Sequence, residues 1–210
     1  MRTALVLLLG SLTVALAGPA CAASTAAGAS ILAIQLSRGV AEYAFPASGE
    51  IFNHSELGVQ AQYWYFLRED YGVNFAAGIG YFKESSTTDP GILLGSSEGQ
   101  TINSWQVRIG GDRFAKLSDK LHLFAGPGIG LWSGKSKFTV DGSTTSETPT
   151  VFRWTLSGRI GTHILMGENF GLIGQVGQYW GYATAEDGDG FKSKWLPSSS
   201  EGAMGFSFGF

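Results

Sequence analysis

Apolar and polar residues alternate along most of this chain, and the alternation recurs in separate blocks. Around 56–67, Leu57, Val59, Ala61, Tyr63 and Tyr65 occupy one set of alternate positions, and Gly58, Gln60 and Gln62 the other. Successive side chains of an extended strand point to opposite faces, so a period of two predicts a strand whose faces meet different surroundings. Around 73–81, Val73, Phe75, Ala77, Ile79 and Tyr81 oppose Asn74, Ala76, Gly78 and Gly80. Around 121–131, Leu121, Leu123, Ala125, Ile129 and Leu131 oppose His122, Gly126, Gly128 and Gly130. Trp154, Leu156, Ile160 and Ile164 oppose Arg153, Thr155, Ser157, Arg159 and His163, and Met204, Phe206, Phe208 and Phe210 oppose Gly205, Ser207 and Gly209. Two further blocks are less regular. In 104–114, Gly111-Asp112 interrupts the alternation of Trp105, Val107 and Ile109 with Gln106, Arg108 and Gly110; in 171–182, Gln178 shares a face with Val176 and Trp180. The block 30–38 is the weakest, and with it the prediction is eight strands.

The connections sort into two kinds. Arg68-Glu69-Asp70, 116–120 and Gly167-Glu168-Asn169 are short and charged, whereas 39–55, 83–103, 133–150 and 183–200 are long and polar. Short turns alternating with long loops are what a membrane barrel shows, with turns at the periplasmic side and loops outside. The expected fold is therefore all-β: an eight-stranded antiparallel up-and-down transmembrane β-barrel. Alternation alone does not say which face meets lipid, so the second face decides. It carries Gln60, Gln62, Asn74, Gln106, Arg108, Arg153, Arg159, His163 and glycines, where a water-facing side calls for more Lys and Glu. Small and polar groups suit the narrow interior of eight strands, which side chains just fill. Tyr81, Trp105, Trp132, Trp154, Trp180 and Tyr182 fall at the loop ends of their strands, and Tyr65, Phe114 and the terminal phenylalanines at the turn ends, so two aromatic girdles are expected.

Residues 1–22 change the picture of compartment. Met1-Arg2 precedes an apolar run over 4–17, and Pro19-Ala20-Cys21-Ala22 supplies small residues suited to cleavage after Ala22. The run is shorter than the roughly 20 residues of a spanning helix. Gly18, three before Cys21, is not the branched aliphatic that lipidation favours. The expected organisation is a cleaved signal peptide, 1–22, and one barrel domain, 23–210. Cys21 is the only cysteine, so the 188 residues left from 210 would hold no disulfide. Losing Arg2 takes the net charge from −3 to −4, which leaves no electrostatic footprint for nucleic acid.

Chemistry-bearing residues are few. His54-Ser55-Glu56 joins an imidazole, a hydroxyl and a carboxylate, but neighbours in a strand face opposite ways, which argues against a catalytic triad. Arg108, Arg153, Arg159, His163, Gln60 and Gln62 are expected to form an interior polar network, its charges paired with Glu56, Asp112 or Glu201, rather than a proton-sensitive gate. Asp187-Gly188-Asp189-Gly190 begins like a calcium loop, yet 191–194 brings no bidentate Glu. No catalytic residue, cofactor or metal ligand is expected.

The terminal Gly202-Ala203-Met204-Gly205-Phe206-Ser207-Phe208-Gly209-Phe210 resembles the last strand of bacterial outer-membrane proteins. The segments 121–130 (Leu121 to Gly130) and 167–172 (Gly167 to Leu172) are similar to the small outer-membrane β-barrel family of OmpX and OmpA transmembrane-domain type. The resemblance implies an outer-membrane location, with lipid, lipopolysaccharide and the barrel-assembly machinery as partners. Phe206, Phe208 and Phe210 would be the assembly signal that this machinery reads. It implies a non-enzymatic structural or surface-interaction (adhesin-like) barrel that meets an extracellular ligand through its loops; the alternative is a narrow porin-like channel or carrier for small or hydrophobic solutes. A lipid-modifying enzyme and a secreted lipocalin-like carrier are the other readings to be weighed.

Overall fold

The computed structural model describes residues 25–44, 51–87, 97–140, 143–147, 150–186, 192–195 and 198–210. Residues 1–22, expected as a signal peptide, the Asp187–Gly190 stretch, and the side chains of His54 and Ser55 lie outside what it describes. In chain order the elements are β1 (Ser30–Ala44), β2 (Ile51–Arg68), β3 (Tyr71–Thr87), β4 (Ser97–Lys116), β5 (Leu121–Val140), β6 (Ser143–Glu147), β7 (Val151–Leu165), β8 (Phe170–Glu186), β9 (Lys192–Trp195) and β10 (Ser198–Gly209).

Eight of these strands close a ring. Each pairs antiparallel with its neighbour in the order β1-β2-β3-β4-β5-β7-β8, and β10 pairs with both β8 and β1. At the seam, Ile31 to Ala41 face Gly209 to Ser199, and Ser30 and Phe210 exchange both backbone hydrogen bonds at 2.8 and 3.0 Å. Closure leaves no strand edge within the wall, the condition for placing a sheet in hydrocarbon, where an unpaired N–H finds no water.

The pleat sorts side chains as the alternation predicts. Leu57, Phe75, Ile79, Ile109, Ile129, Leu156, Ile160, Val176, Met204 and Phe206 stand outward, half or more exposed. Gln60, Gln62, Asn74, Arg108, Asp112, Arg153, Arg159 and His163 are buried inside. An apolar exterior wrapped around a polar interior is the inverse of a soluble barrel, and it makes the wall transmembrane.

β1 is a full strand, weak in sequence because its inward residues Ile31 and Ala33 are as apolar as its outward Leu32 and Ile34. The two inward ones pack against a cluster at the turn end. The break at Gly111-Asp112 has a local cause. The β4–β5 ladder skips from Gly110↔Gly128 to Arg113↔Ala125, because Pro127 opposite has no N–H to donate. The backbones close in there: a Cβ on Gly126 would lie 1.8 Å from the Gly111 carbonyl oxygen.

The long connections differ from expectation. β4 and β5 are 20 residues each and β2 is 18, well beyond the roughly 9–11 that cross a bilayer. Much of 83–103 and 133–150 is therefore strand: Lys83 to Thr87 pair with Thr101 to Ser97, and Glu98 to Asn103 with Val140 to Lys135. β6 continues this sheet on β5, and β9 extends β8. These segments read as loops because beyond the membrane both faces of a ladder are wet, so no period of two remains.

Candidate functional site

The site is the lumen, filled in layers. At the turn end Trp64, Phe66, Phe114 and Phe124 make an aromatic plug. Phe114 stacks on Phe124 at 5.3 Å, Phe66 meets Phe114 edge-on at 4.9 Å, and Trp64 meets Phe124 at 5.8 Å. Phe114 is thus not a girdle residue; it shares the inward side with Arg108 and Asp112, and only 5% of it is exposed. The residues just before β1 line the floor: Gly28, in the left-handed region at φ 84°, turns so that its N–H and the Ala29 carbonyl bond the backbone of Phe66. Beside the plug, on the turn side of Phe124, lie His122 and His163, with rings 6.2 Å apart and His163 Nε2 2.8 Å from Ser207 Oγ.

Asp112 is the centre of the next layer and has no exposed surface. Its carboxylate accepts from both Nε (3.0 Å) and Nη2 of Arg159, from Trp64 Nε1 at 2.7 Å and from Asn74 Nδ2 at 3.1 Å. A two-pronged guanidinium plus two neutral donors satisfies a carboxylate that hydrocarbon walls would otherwise leave uncompensated. Beside it runs an amide layer. Gln60 Nε2 and Gln175 Nε2 donate to Gln35 Oε1 at 2.9 and 3.1 Å. The Gln62 oxygen, turned to oppose donors, accepts from Arg159 Nη1 at 2.7 Å. Higher again, Arg108 donates through Nη1 to the Tyr179 hydroxyl and lies 5.6 Å over its ring; Arg153 Nη2 donates to the Tyr179 carbonyl at 3.4 Å.

At the loop end the lumen opens into a polar vestibule of about 60 Å³, lined by Glu56, Gln106, Trp132, Arg153, Tyr179 and Glu201 among others. Gln106 Nε2 donates to Glu201 Oε2 at 3.3 Å. Trp132, expected in the outer girdle, faces this vestibule instead, on the same side as Gly128 and Gly130. The girdle at this end is formed by Tyr81, Trp105, Trp154, Trp180 and Tyr182, all more than two-fifths exposed. Among the described residues, the interior cations Arg108, Arg153 and Arg159 match the anions Glu56, Asp112 and Glu201 in number.

All six residues of the expected polar network are therefore inward and buried, but in separate layers: Gln62 and Arg159 meet, Arg108 and Arg153 share Tyr179, and His163 binds Ser207. Sequence reasoning passed over Gln35, Gln175, Tyr179 and the aromatic plug. Parity held the signal, since Trp64 and Phe66 follow Gln60 and Gln62 at steps of two. Glu56 reaches the vestibule, and among the described residues no three His, Cys, Asp or Glu side chains converge as metal ligands. Phe206, Phe208 and Phe210 stand on the outward face of β10, Phe206 stacked on Phe170 at 5.6 Å.

No family model and no curated protein matches the sequence. Solved structures do match the fold. The attachment invasion locus protein Ail of Yersinia pestis, in complex with the heparin analogue sucrose octasulfate, aligns with a TM-score of 0.52 at 15% identity, over 88% of this chain and 99% of that one. The outer membrane protein OprG of Pseudomonas aeruginosa aligns at 0.51 and 12%, over 89% and 99%. Neisserial surface protein A aligns at 0.51 and 12%, over 87% and 97%. With this likeness added to its closed ring, apolar exterior and filled interior, the chain has the fold of the small eight-stranded outer-membrane β-barrels.

Proposed function

We infer that this is a non-enzymatic integral outer-membrane barrel that works at the cell surface, where the ladders standing beyond the membrane meet an extracellular ligand. The carrying observation is a division of labour along the strands. Inside the belt the lumen is occupied by paired charges, amides and packed rings, whereas beyond it β3, β4, β5 and β6 continue as a sheet. A sheet extended by several residues per strand has no use in spanning a bilayer, and an ordered platform lowers the entropy lost on binding. The similarly folded Ail binds a sulfated sugar analogue, and exposed Lys135 and Lys137 stand on the β5 extension here. A sulfated polysaccharide is accordingly the first ligand class to try. Lipid and lipopolysaccharide are partners by location, and the barrel-assembly machinery by way of Phe206, Phe208 and Phe210.

The test compares cells displaying the intact chain with cells displaying one in which 135–149 is replaced by a short Gly-Ser turn. Binding to immobilised heparin should fall at least tenfold while the barrel keeps its heat-dependent shift in gel mobility. Unchanged binding would remove the β5–β6 platform from the reading. The second reading, a narrow channel, is favoured by the vestibule alone, and reproducible single-channel steps of the purified protein in a planar bilayer would establish it. Altered acyl chains after incubation with lipopolysaccharide would overturn the non-enzymatic assignment.

A further inference from the structure

Packed side chains fill the lumen from the turn end upward but stop short of the loop end, where the sequence keeps a space open. In the closed ring β1, β2 and β3 stand across the lumen from β5, β7 and β8. At the height of the vestibule the first three turn Gly39, Gly58 and Gly80 inward. A Cβ at Gly39 would meet nothing closer than the Ser200 carbonyl oxygen at 3.5 Å, so a side chain would fit there. Glycine at that position leaves room that the backbone does not demand. Ser37 and Ser104 bend over the other two: a Cβ at Gly58 would lie 2.7 Å from Ser37 Oγ, and one at Gly80 2.5 Å from Ser104 Oγ. This side of the vestibule is thus bare backbone dressed with two hydroxyls.

The facing side is aromatic. Trp132 is turned inward and only partly covered. Its indole runs along its own strand, for a Cβ at Gly134 would lie 2.3 Å from Cη2 and 2.6 Å from Cζ2 of the ring. The indole therefore flanks the space instead of crossing it. Tyr179 borders the floor, held from below by Arg108. Around the rim Gln106 and Arg153 supply N–H donors, and Glu56 and Glu201 supply carboxylate oxygens with several lone pairs each. With Arg108 counted, two guanidiniums match two carboxylates, so the site as a whole favours neither an anion nor a cation. The opening of about 60 Å³ has room for roughly five waters, about the bulk of one hexose.

We propose that the vestibule binds the terminal ring of an uncharged saccharide, one pyranose deep. The C–H face of the sugar packs against Trp132, and its hydroxyls exchange hydrogen bonds with Gln106, Glu201 and the two serines. An aromatic wall beside a few convergent polar groups is what a small amphipathic ligand requires. An apolar ligand would strip water from the carboxylates and hydroxyls and return no hydrogen bond. A sulfated sugar would bring an anion to carboxylates whose guanidinium partners are already matched. The site is distinct from the β5–β6 platform and takes a different ligand, so its failure would leave that reading untouched.

The test is saturation-transfer NMR on the purified full-length barrel in lauryldimethylamine oxide, a detergent without a sugar headgroup. The probes are the methyl pyranosides of glucose, galactose and mannose, with glucose 6-sulfate and glycerol beside them. At least one methyl pyranoside should bind with a dissociation constant on the order of 1 mM, as expected for a ligand of that size. Glucose 6-sulfate and glycerol should each bind about fivefold more weakly or not at all. Trp132→Leu, which removes the indole, and Gly39→Leu, which fills the space without touching a polar group, should each weaken binding about tenfold. Trp154→Leu, at an outward girdle residue, should leave it unchanged. Binding of none of the three pyranosides, preference for the sulfated sugar, or indifference to both Trp132→Leu and Gly39→Leu would each overturn the proposal. Heat-dependent gel mobility, run on every variant, separates loss of the sugar site from loss of the barrel.

Discussion

Asp112 shows how a single residue is specified by what surrounds it. Its carboxylate sits where no solvent reaches and accepts from Arg159, Trp64 and Asn74. Removing one partner of a buried ion pair leaves the other charge uncompensated, which costs about 3–5 kcal/mol. Asp112→Ala is thus expected to lower the urea stability of the refolded barrel by that amount. Asp112→Ala with Arg159→Met should lose less than the single change, and a double-mutant cycle checks the difference; equal losses would mean that the pair does not couple. The pairing of Arg159 with an acid was legible in the sequence, because a buried cation needs one. Choosing Asp112 over Glu56 and Glu201 was not, since it depends on the ladder break opposite Pro127 that brings Asp112 beside Trp64. Trp132 and Phe114 carried a misleading signal: an aromatic near a strand end reads as a girdle residue, and only its parity shows that it turns inward.

At the scale of the strand, β10 places two kinds of glycine side by side. A Cβ at Gly205 would lie 1.9 Å from the Ile34 carbonyl oxygen and 2.6 Å from Gln35 Cα, both backbone of the seam strand, whereas at Gly202 it meets nothing. Gly205→Ala is therefore expected to destabilise the closed barrel by about 1–3 kcal/mol, and Gly202→Ala to change it by less than about 0.5 kcal/mol. Unfolding midpoints in urea decide, and equal midpoints would place the strain elsewhere. Phe210 separates closure from assembly. Its seam hydrogen bonds use the backbone, so Phe210→Asp should refold in detergent to nearly the parental midpoint. In cells it should leave much less heat-modifiable barrel; full insertion would show that the terminal aromatic is dispensable. The eight wall strands were readable because lipid on one side and a packed lumen on the other impose a period of two, whereas β6 and β9 were not. Strand length was not, for beyond the girdle both faces meet water and the period is lost at the height where the ladders leave the membrane.

For the whole molecule the deciding property, among the described residues, is that the loop-end vestibule stops on a filled interior. Water can enter the vestibule beside Thr155 and Tyr179, but the Arg108–Tyr179 contact, the Gln35–Gln60–Gln175 layer, the Asp112 cluster and the aromatic plug stand in series below it. Each layer is held by groups that would be left unpaired or unpacked if it opened, so breaching them all is far costlier than solvating the mouth. Single cysteines, introduced after Cys21→Ser, measure this directly. On intact cells a membrane-impermeant maleimide should modify Thr155→Cys, at the mouth, within minutes. It should leave Ser207→Cys, which replaces a residue 1% exposed beside His163, unmodified until the barrel is boiled in detergent. The loop end would then be the cell-surface end, in line with short turns inside and long connections outside. Comparable labelling of both positions would mean that the layers part on the timescale of the reaction, and the barrel would have to be treated as a conduit instead of a closed support for the sheet above it.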